Sequence, residues 1–162
     1  MKIGVISDTH GFIHPKVFSI FDGVEQILHA GDIGSEDIVT SLETLAPVQA
    51  VYGNIDSFPL TSRYPEILTL ELAEFTVCIL HQYFGMDHPL IQNAVKNTPK
   101  KKIDLLIYGH THQAQLERQG DLLLFNPGAA GRQRFSLRPA VGLLTLDIRG
   151  AMLPEIIYLD AK

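Results

Sequence analysis

Short β-rich apolar runs recur along this chain, and almost every one stops at an Asp, Asn or His. Lys2–Ser7 stops at Asp8-Thr9-His10, and Glu25–His29 leads through Ala30 to Gly31-Asp32. Val48–Tyr52 gives way to Gly53-Asn54-Ile55-Asp56, and Phe75–Leu80 to His81. Asp104–Tyr108 is followed by Gly109-His110-Thr111-His112, and Leu122–Phe125 by Asn126-Pro127-Gly128. Ligands of open α/β sheets bind at the carboxyl ends of the strands. If these strands lie side by side, their polar termini converge.

Between the early runs the pattern is helical. Pro15–Phe21 begins with a proline suited to a helix start. Ser35 is placed to cap a helix through Leu45, with Ile38, Val39, Leu42 and Leu45 at helical spacing. This β-α-β-α-β alternation predicts parallel strands with helices on their faces. Ile67–Leu72 and Phe75–Leu80, parted by Ala73-Glu74, predict a hairpin. Pro89–Lys96 predicts a helix, and Lys96 to Lys102 a solvated loop. The last third reads as strands over Gln113–Arg118, Leu122–Phe125, Val141–Ile148 and Glu155–Leu159. The expected class is α/β, with two facing sheets, helices outside, and one domain over residues 1–162.

Composition agrees with a folded chain: 162 residues, 46% hydrophobic and 19% charged. The net charge of −5 disfavours a long nucleic acid as partner. A small anionic substrate stays open, because bound cations reverse the local field. The lone cysteine, Cys78, sits in an apolar run and reads as a buried thiol. The apolar stretch after Met1 is too short for a signal-peptide core, and no run is long enough to span a bilayer. The expectation is a cytoplasmic protein with no membrane contact.

Each polar terminus has an ordinary explanation. Asp8 could be a turn residue, Asp32 a helix cap, Asn54-Ile55-Asp56 a polar turn, and His110 and His112 surface groups. Their joint occurrence points elsewhere. Asp8, His10, Asp32, Asn54, His81, His110 and His112 supply carboxylate, amide and imidazole donors without a thiolate. That set suits borderline divalent metals such as Mn²⁺, Fe²⁺ or Zn²⁺. It is large enough for two ions, with the Asp32 carboxylate the natural bridge. Paired ions roughly 3.5–4 Å apart clamp the attacking and leaving oxygens of an in-line displacement. Asp56 reads as a turn or supporting group. His14, His29 and His88 read as loop or locally packed residues.

Taken in order, Asp8-x-His10, Gly31-Asp32, Gly53-Asn54-x-Asp56, His81 and Gly109-His110-x-His112 resemble the motifs of the calcineurin-like metallophosphoesterase superfamily. The short length and Asn126-Pro127-Gly128 resemble its small bacterial and archaeal phosphodiesterase branch, to which the retromer scaffold subunit is related. The resemblance covers residues 3 to about 130. It implies a four-layer α/β-β-α sandwich. One ion would be held by Asp8, His10, Asp32 and His112, and the other by Asp32, Asn54, His81 and His110. The metals would be two divalent ions, Mn²⁺ first, with Fe²⁺, Ni²⁺ or Zn²⁺ alternatives. A hydroxide bridging them would hydrolyse a small phosphate ester, most readily a diester, with Asp32, Asn54 and His110 as the catalytic set. A homodimer is compatible with small members of the family.

Two departures from the family pattern bear on substrate. Ile55 stands where many relatives place a proton-donating histidine, which favours diesters or activated esters. His81-Gln82-Tyr83 replaces His-Gly-His, which makes His81 the least secure ligand and puts Gln82 or Tyr83 towards substrate. Arg132 and Arg134 follow the Asn126-Pro127-Gly128 segment, and one of them is a candidate phosphate contact. The rival reading is a non-catalytic scaffold or a nucleotide-binding regulatory module on the same fold.

Overall fold

The computed structural model describes residues 1–133, 136–147 and 149–160. Among the described residues, ten strands form two five-stranded sheets. The first sheet contains β1 (Lys2–Ile6), β2 (Gln26–His29), β3 (Val48–Ala50), β9 (Ala140–Leu146) and β10 (Met152–Tyr158), in the order β10-β9-β1-β2-β3. Its β1, β2 and β3 are parallel, joined by crossovers carrying α1 (Lys16–Ile20) and α2 (Glu36–Glu43). The second sheet contains β4 (Ile67–Leu72), β5 (Phe75–Leu80), β6 (Leu105–Ile107), β7 (Gln115–Gln119) and β8 (Leu122–Asn126), in the order β4-β5-β6-β8-β7. Here β5, β6 and β8 are parallel, and β4 and β7 are antiparallel edges.

The apolar runs are nearly continuous because both faces of the central strands are covered. From β1, Ile3 and Val5 face the second sheet, where they meet Val77 and Ile79 of β5, Leu105 and Ile107 of β6, and Phe125 of β8. Ile6 faces the other way, towards Val17 and Phe21 of the α1 segment and Val39 and Leu42 of α2. On the far side of the second sheet, Cys78, Leu80, Leu106 and Leu124 pack on Ile91 of α4 (Pro89–Asn97). The layers are therefore helix, sheet, sheet, helix, as the resemblance implies. Gly142 marks how closely the sheets approach, since a Cβ there would lie 2.3 Å from Phe125 Cζ.

Local differences from the sequence reading have physical causes. Ser35 occupies the N-cap position of α2, but its hydroxyl makes no capping hydrogen bond, and the helix ends at Glu43 rather than Leu45. The last strand begins at Met152, not Glu155, and runs through Pro154. Proline is tolerated there because β10 is an edge strand, paired only with β9. A one-turn helix, α3 (Leu60–Arg63), was not foreseen, being too short to carry a periodic signal. The basic tract is less free than expected: α4 extends through Asn97, and Thr98 is buried with its hydroxyl bonded to the Val95 and Lys102 carbonyls. Among the described residues no helix is long and apolar enough to cross a membrane.

Candidate metal centre

Parallel strands β1, β2 and β3 of one sheet and β5 and β6 of the other end at the same edge, and the loops after them face one another. Asp8 is fully buried. Its Oδ2 accepts from Ser7 Oγ at 2.7 Å and from the His110 amide at 3.1 Å. Its Oδ1 is buried without a hydrogen-bond partner, although His112 Nε2 lies 3.2 Å away and His10 Nε2 3.7 Å away. These two imidazole nitrogens are themselves 3.2 Å apart. A buried, unpartnered carboxylate oxygen facing two imidazole nitrogens is the arrangement a cation would satisfy.

A second group lies beside it. His81 Nδ1 donates to the Ala30 carbonyl at 2.8 Å, which leaves Nε2 as the inward-facing donor atom. That Nε2 lies 3.2 Å from Asp32 Oδ2 and 3.0 Å from Asn54 Oδ1. Asn54 Oδ1 also lies 3.0 Å from His110 Nδ1. Asp32 Oδ1 accepts from the Ile55 amide at 3.0 Å, while Oδ2 also faces His10 Nε2 at 3.7 Å. One oxygen of Asp32 thus anchors the loop and the other points towards both groups. Asp8, His10 and His112 offer ligand atoms within 4.8 Å of one another, and so do Asp32, His81 and His110.

The backbone around these side chains is strained. Asp8, His10, Asp32, His110 and His112 all have positive φ, between 48° and 67°. Non-glycine residues in this region are uncommon and cost about 1–3 kcal/mol each, and they cluster at functional sites. Asp and His tolerate the conformation better than β-branched residues, so residue type and backbone agree. Gly31 has φ +90° and lies against the His81 ring, where a Cβ would approach to 2.8 Å. Only glycine meets both demands.

Charge is balanced around the carboxylates. Burial opposes ionisation of Asp8, but the His10 and His112 imidazoles and the Ser7 hydroxyl outweigh it and hold its pKa well below the usual carboxylate value. Asp32 behaves alike, with burial overcome chiefly by His81. Burial also works against a charged His81, yet Asp32, Asp8 and the Ala30 carbonyl raise its pKa. Both carboxylates are therefore held as anions ready for cations.

Supporting groups lie behind the donors. Asp56 accepts from the amides of Ile33, Gly34 and Gly53 at 3.1, 2.8 and 2.8 Å, tying the Asp32 loop to the Asn54 loop. It is a buttress, as its place in the motif suggested. Asn126 donates to the Gly109 carbonyl and Thr111 Oγ1 and accepts from the Gly128 amide, holding the His110 loop. His29 is fully buried, accepting from the Gly31 amide and bonding to Thr9 Oγ1 at 3.0 Å. Burial pushes its pKa down to about 4, so it stands as a neutral strut. Thr9, Asn126 and Ser7 were not among the expected site residues, because a polar residue at a strand end gives no sign of which loop it ties.

The remaining candidates divide. Gln82 Nε2 lies 3.0 Å from His110 Nε2, at the rim. Tyr83 is half-buried and packs against the core beside Tyr108. Arg132 lines a cavity with Asp8, Thr9, His10 and His112, its guanidinium 4.9 Å from the Phe12 ring centroid. Arg134 lies outside the described residues. Ile55 is half-exposed and offers only its amide to the site.

A family model described as the calcineurin-like phosphoesterase superfamily domain matches residues 1–149. The chain belongs to that superfamily. It is 40% identical over 154 residues to a probable metallophosphoesterase of Methanothermobacter thermautotrophicus, covering 91% of this chain and 87% of the relative. It is 29% identical to a phosphodiesterase of Methanocaldococcus jannaschii, covering 91% and 94% respectively. Among solved structures, an archaeal phosphodiesterase superposes with a TM-score of 0.73 at 27% identity, covering 97% of this chain and all of the other. Vps29 of Chaetomium thermophilum superposes with a TM-score of 0.72 at 19% identity, covering 98% and 96%, a likeness of fold alone. The chain is a phosphoric ester hydrolase of this metallophosphoesterase family.

Proposed function

We propose that this chain is a phosphodiesterase working with two divalent cations, Mn²⁺ first among them. The observation that carries the reading is the pair of adjacent donor groups sharing Asp32. Asp8, His10 and His112 would hold one ion and Asn54, His81 and His110 the other, with Asp32 Oδ2 facing both groups. Such ions neutralise the phosphoryl oxygens and acidify water enough to supply the attacking hydroxide near neutral pH.

The chain's own residues do the rest. Ser7 and the His110 amide fix Asp8, Ala30 fixes the His81 ring, and Asp56 fixes the two loops that carry Asp32 and Asn54. This preorganisation spares reorganisation as charge builds on the phosphoryl group. His110 and Asn54 stand at the exposed side, placed to donate to that charge. Arg132 stands at the opposite side, where a guanidinium matches phosphate oxygens. Ile55 supplies no proton to a leaving group, which supports diesters and activated esters over unassisted monoesters. A pure scaffold would need none of these strained, charge-balanced positions, and all seven donors are present.

The test is hydrolysis of a chromogenic phosphodiester and the matching monoester by metal-stripped protein refilled with Mn²⁺. Diester turnover should appear on refilling and vanish on stripping. Asp32→Ala should abolish it and reduce bound metal below two per chain while circular dichroism stays native. Full activity in Asp32→Ala would remove the proposed bridge.

A further inference from the structure

Beside the Asn54 and His81 half of the centre lies a cavity of about 200 Å³. It opens directly onto the reaction site, since Asn54, His81 and Gln82 belong to its wall. The rest of that wall is mainly apolar and aromatic: Tyr52, Leu80, Phe84, His88 and Leu90, with the carboxylate of Glu66. None of these groups is needed to hold a metal.

Two features of the wall suit a flat ring. Phe84 is 67% exposed, a large apolar side chain left in solvent at the cavity, while its neighbour Tyr83 is half-buried against the core. Phe84 and His88 lie with ring centroids 5.4 Å apart and planes 34° from parallel, a tilted pair that extends an aromatic face. The polar groups are few and separated. His88 Nδ1 accepts the Leu90 amide at 3.4 Å, which leaves its proton on Nε2 as a donor. Glu66 is an acceptor. An apolar slot with sparse polar groups of both kinds is the chemistry of a site for a ring with hydrogen-bonding edges. A plain aryl group would leave Glu66 without a use, and an aliphatic chain would leave the ring pair without one.

We propose that this cavity is a nucleobase subsite, so that the ester's preferred class is a nucleotide phosphodiester whose base carries N–H donors. The base lies against Phe84, its donor edge reaches Glu66, and its phosphate falls beside Asn54 and His110. The proposal rests on the phosphodiesterase reading, and it concerns a single nucleotide rather than a polymer, consistent with the net charge of −5.

The experiment is calorimetric binding of guanosine monophosphate and of ribose 5-phosphate to the Mn²⁺-loaded full chain. Turnover of methyl p-nitrophenyl phosphate is followed in parallel. Stacking on one aromatic face predicts at least about 10-fold tighter binding of the nucleotide. Phe84→Ala should erase most of that preference and leave ribose 5-phosphate binding as it was, and Phe84→Tyr should restore it. Equal affinities in the native chain, or a Phe84→Ala variant that weakens both ligands alike, would overturn the subsite. Base preference without turnover would keep the subsite and remove the catalytic reading. Turnover without base preference would do the reverse.

Discussion

Replacing Gly53 by alanine would place a methyl carbon 2.1 Å from Asp32 Oδ1 and 2.3 Å from the Asp32 amide nitrogen. An ordinary contact needs about 3.5 Å, so the two loops must part by more than about 1 Å. Neither side can yield freely. Asp32 Oδ1 is held by the Ile55 amide at 3.0 Å, and Gly53 is held by Asp56 at 2.8 Å. Overpacking of this kind costs about 1–3 kcal/mol of stability. The larger effect is on Asp32, whose other oxygen faces both donor groups. A misplacement near 1 Å is worth about 100-fold in rate. The assay is kcat/KM for a chromogenic diester with bound metal counted by mass spectrometry after dialysis. Gly120→Ala serves as the control. Gly120 sits in the β7–β8 turn with φ +61° and open space around it, so alanine there costs about 1 kcal/mol and leaves turnover unchanged. A Gly53→Ala protein with native turnover and native metal content would mean that Asp32 does not depend on this close loop contact.

Further outcomes follow from the same geometry. Asp56→Ala leaves three loop amides without their acceptor and should lower stability by about 3 kcal/mol and metal affinity by at least about 10-fold, read by melting and by metal titration. His29 is neutral when folded, with a pKa near 4 against 6.5 when unfolded. Between these values the unfolded chain binds the extra proton, so this stabilisation is complete above pH 6.5 and is lost as pH falls towards 4. The loss is about 3 kcal/mol by linkage. Urea denaturation of metal-stripped protein should therefore show a steeper decline over that range than His29→Gln; identical slopes would reject the assignment. Burial pushes the Cys78 thiol up to about 12, so a thiol reagent should label it only on unfolding, and rapid labelling of the native chain would contradict that burial.

The parallel order of β1, β2 and β3 was legible because the β-α-β-α-β alternation leaves few other solutions. The gathering of the candidate donors was legible for a related reason: six runs that must be buried on a strand each end in a polar residue, and these strand ends share one place. Even His81, whose neighbours depart from the family pattern, is seated by a bond from its ring to the Ala30 carbonyl. That bond joins residues 51 positions apart and has no local trace in the sequence. Gln82 and Tyr83 were alternatives for the substrate side; Gln82 reaches His110, while the half-buried Tyr83 packs against Tyr108.

From residue pattern alone came the two facing sheets with helices outside, the parallel direction of the early strands and the polar residue types at the strand ends, because periodicity and residue chemistry are local properties. Only the tertiary structure decided which oxygen of Asp8 stays unpartnered, which nitrogen of His81 faces inward, and that Asp56 and Asn126 tie loops together. It also decided that Phe84 and His88, separated by Gly85, Met86 and Asp87, stand at one cavity beside Asn54. Those are relations between distant segments, fixed when two sheets close on a shared core and bring their loops to a common edge.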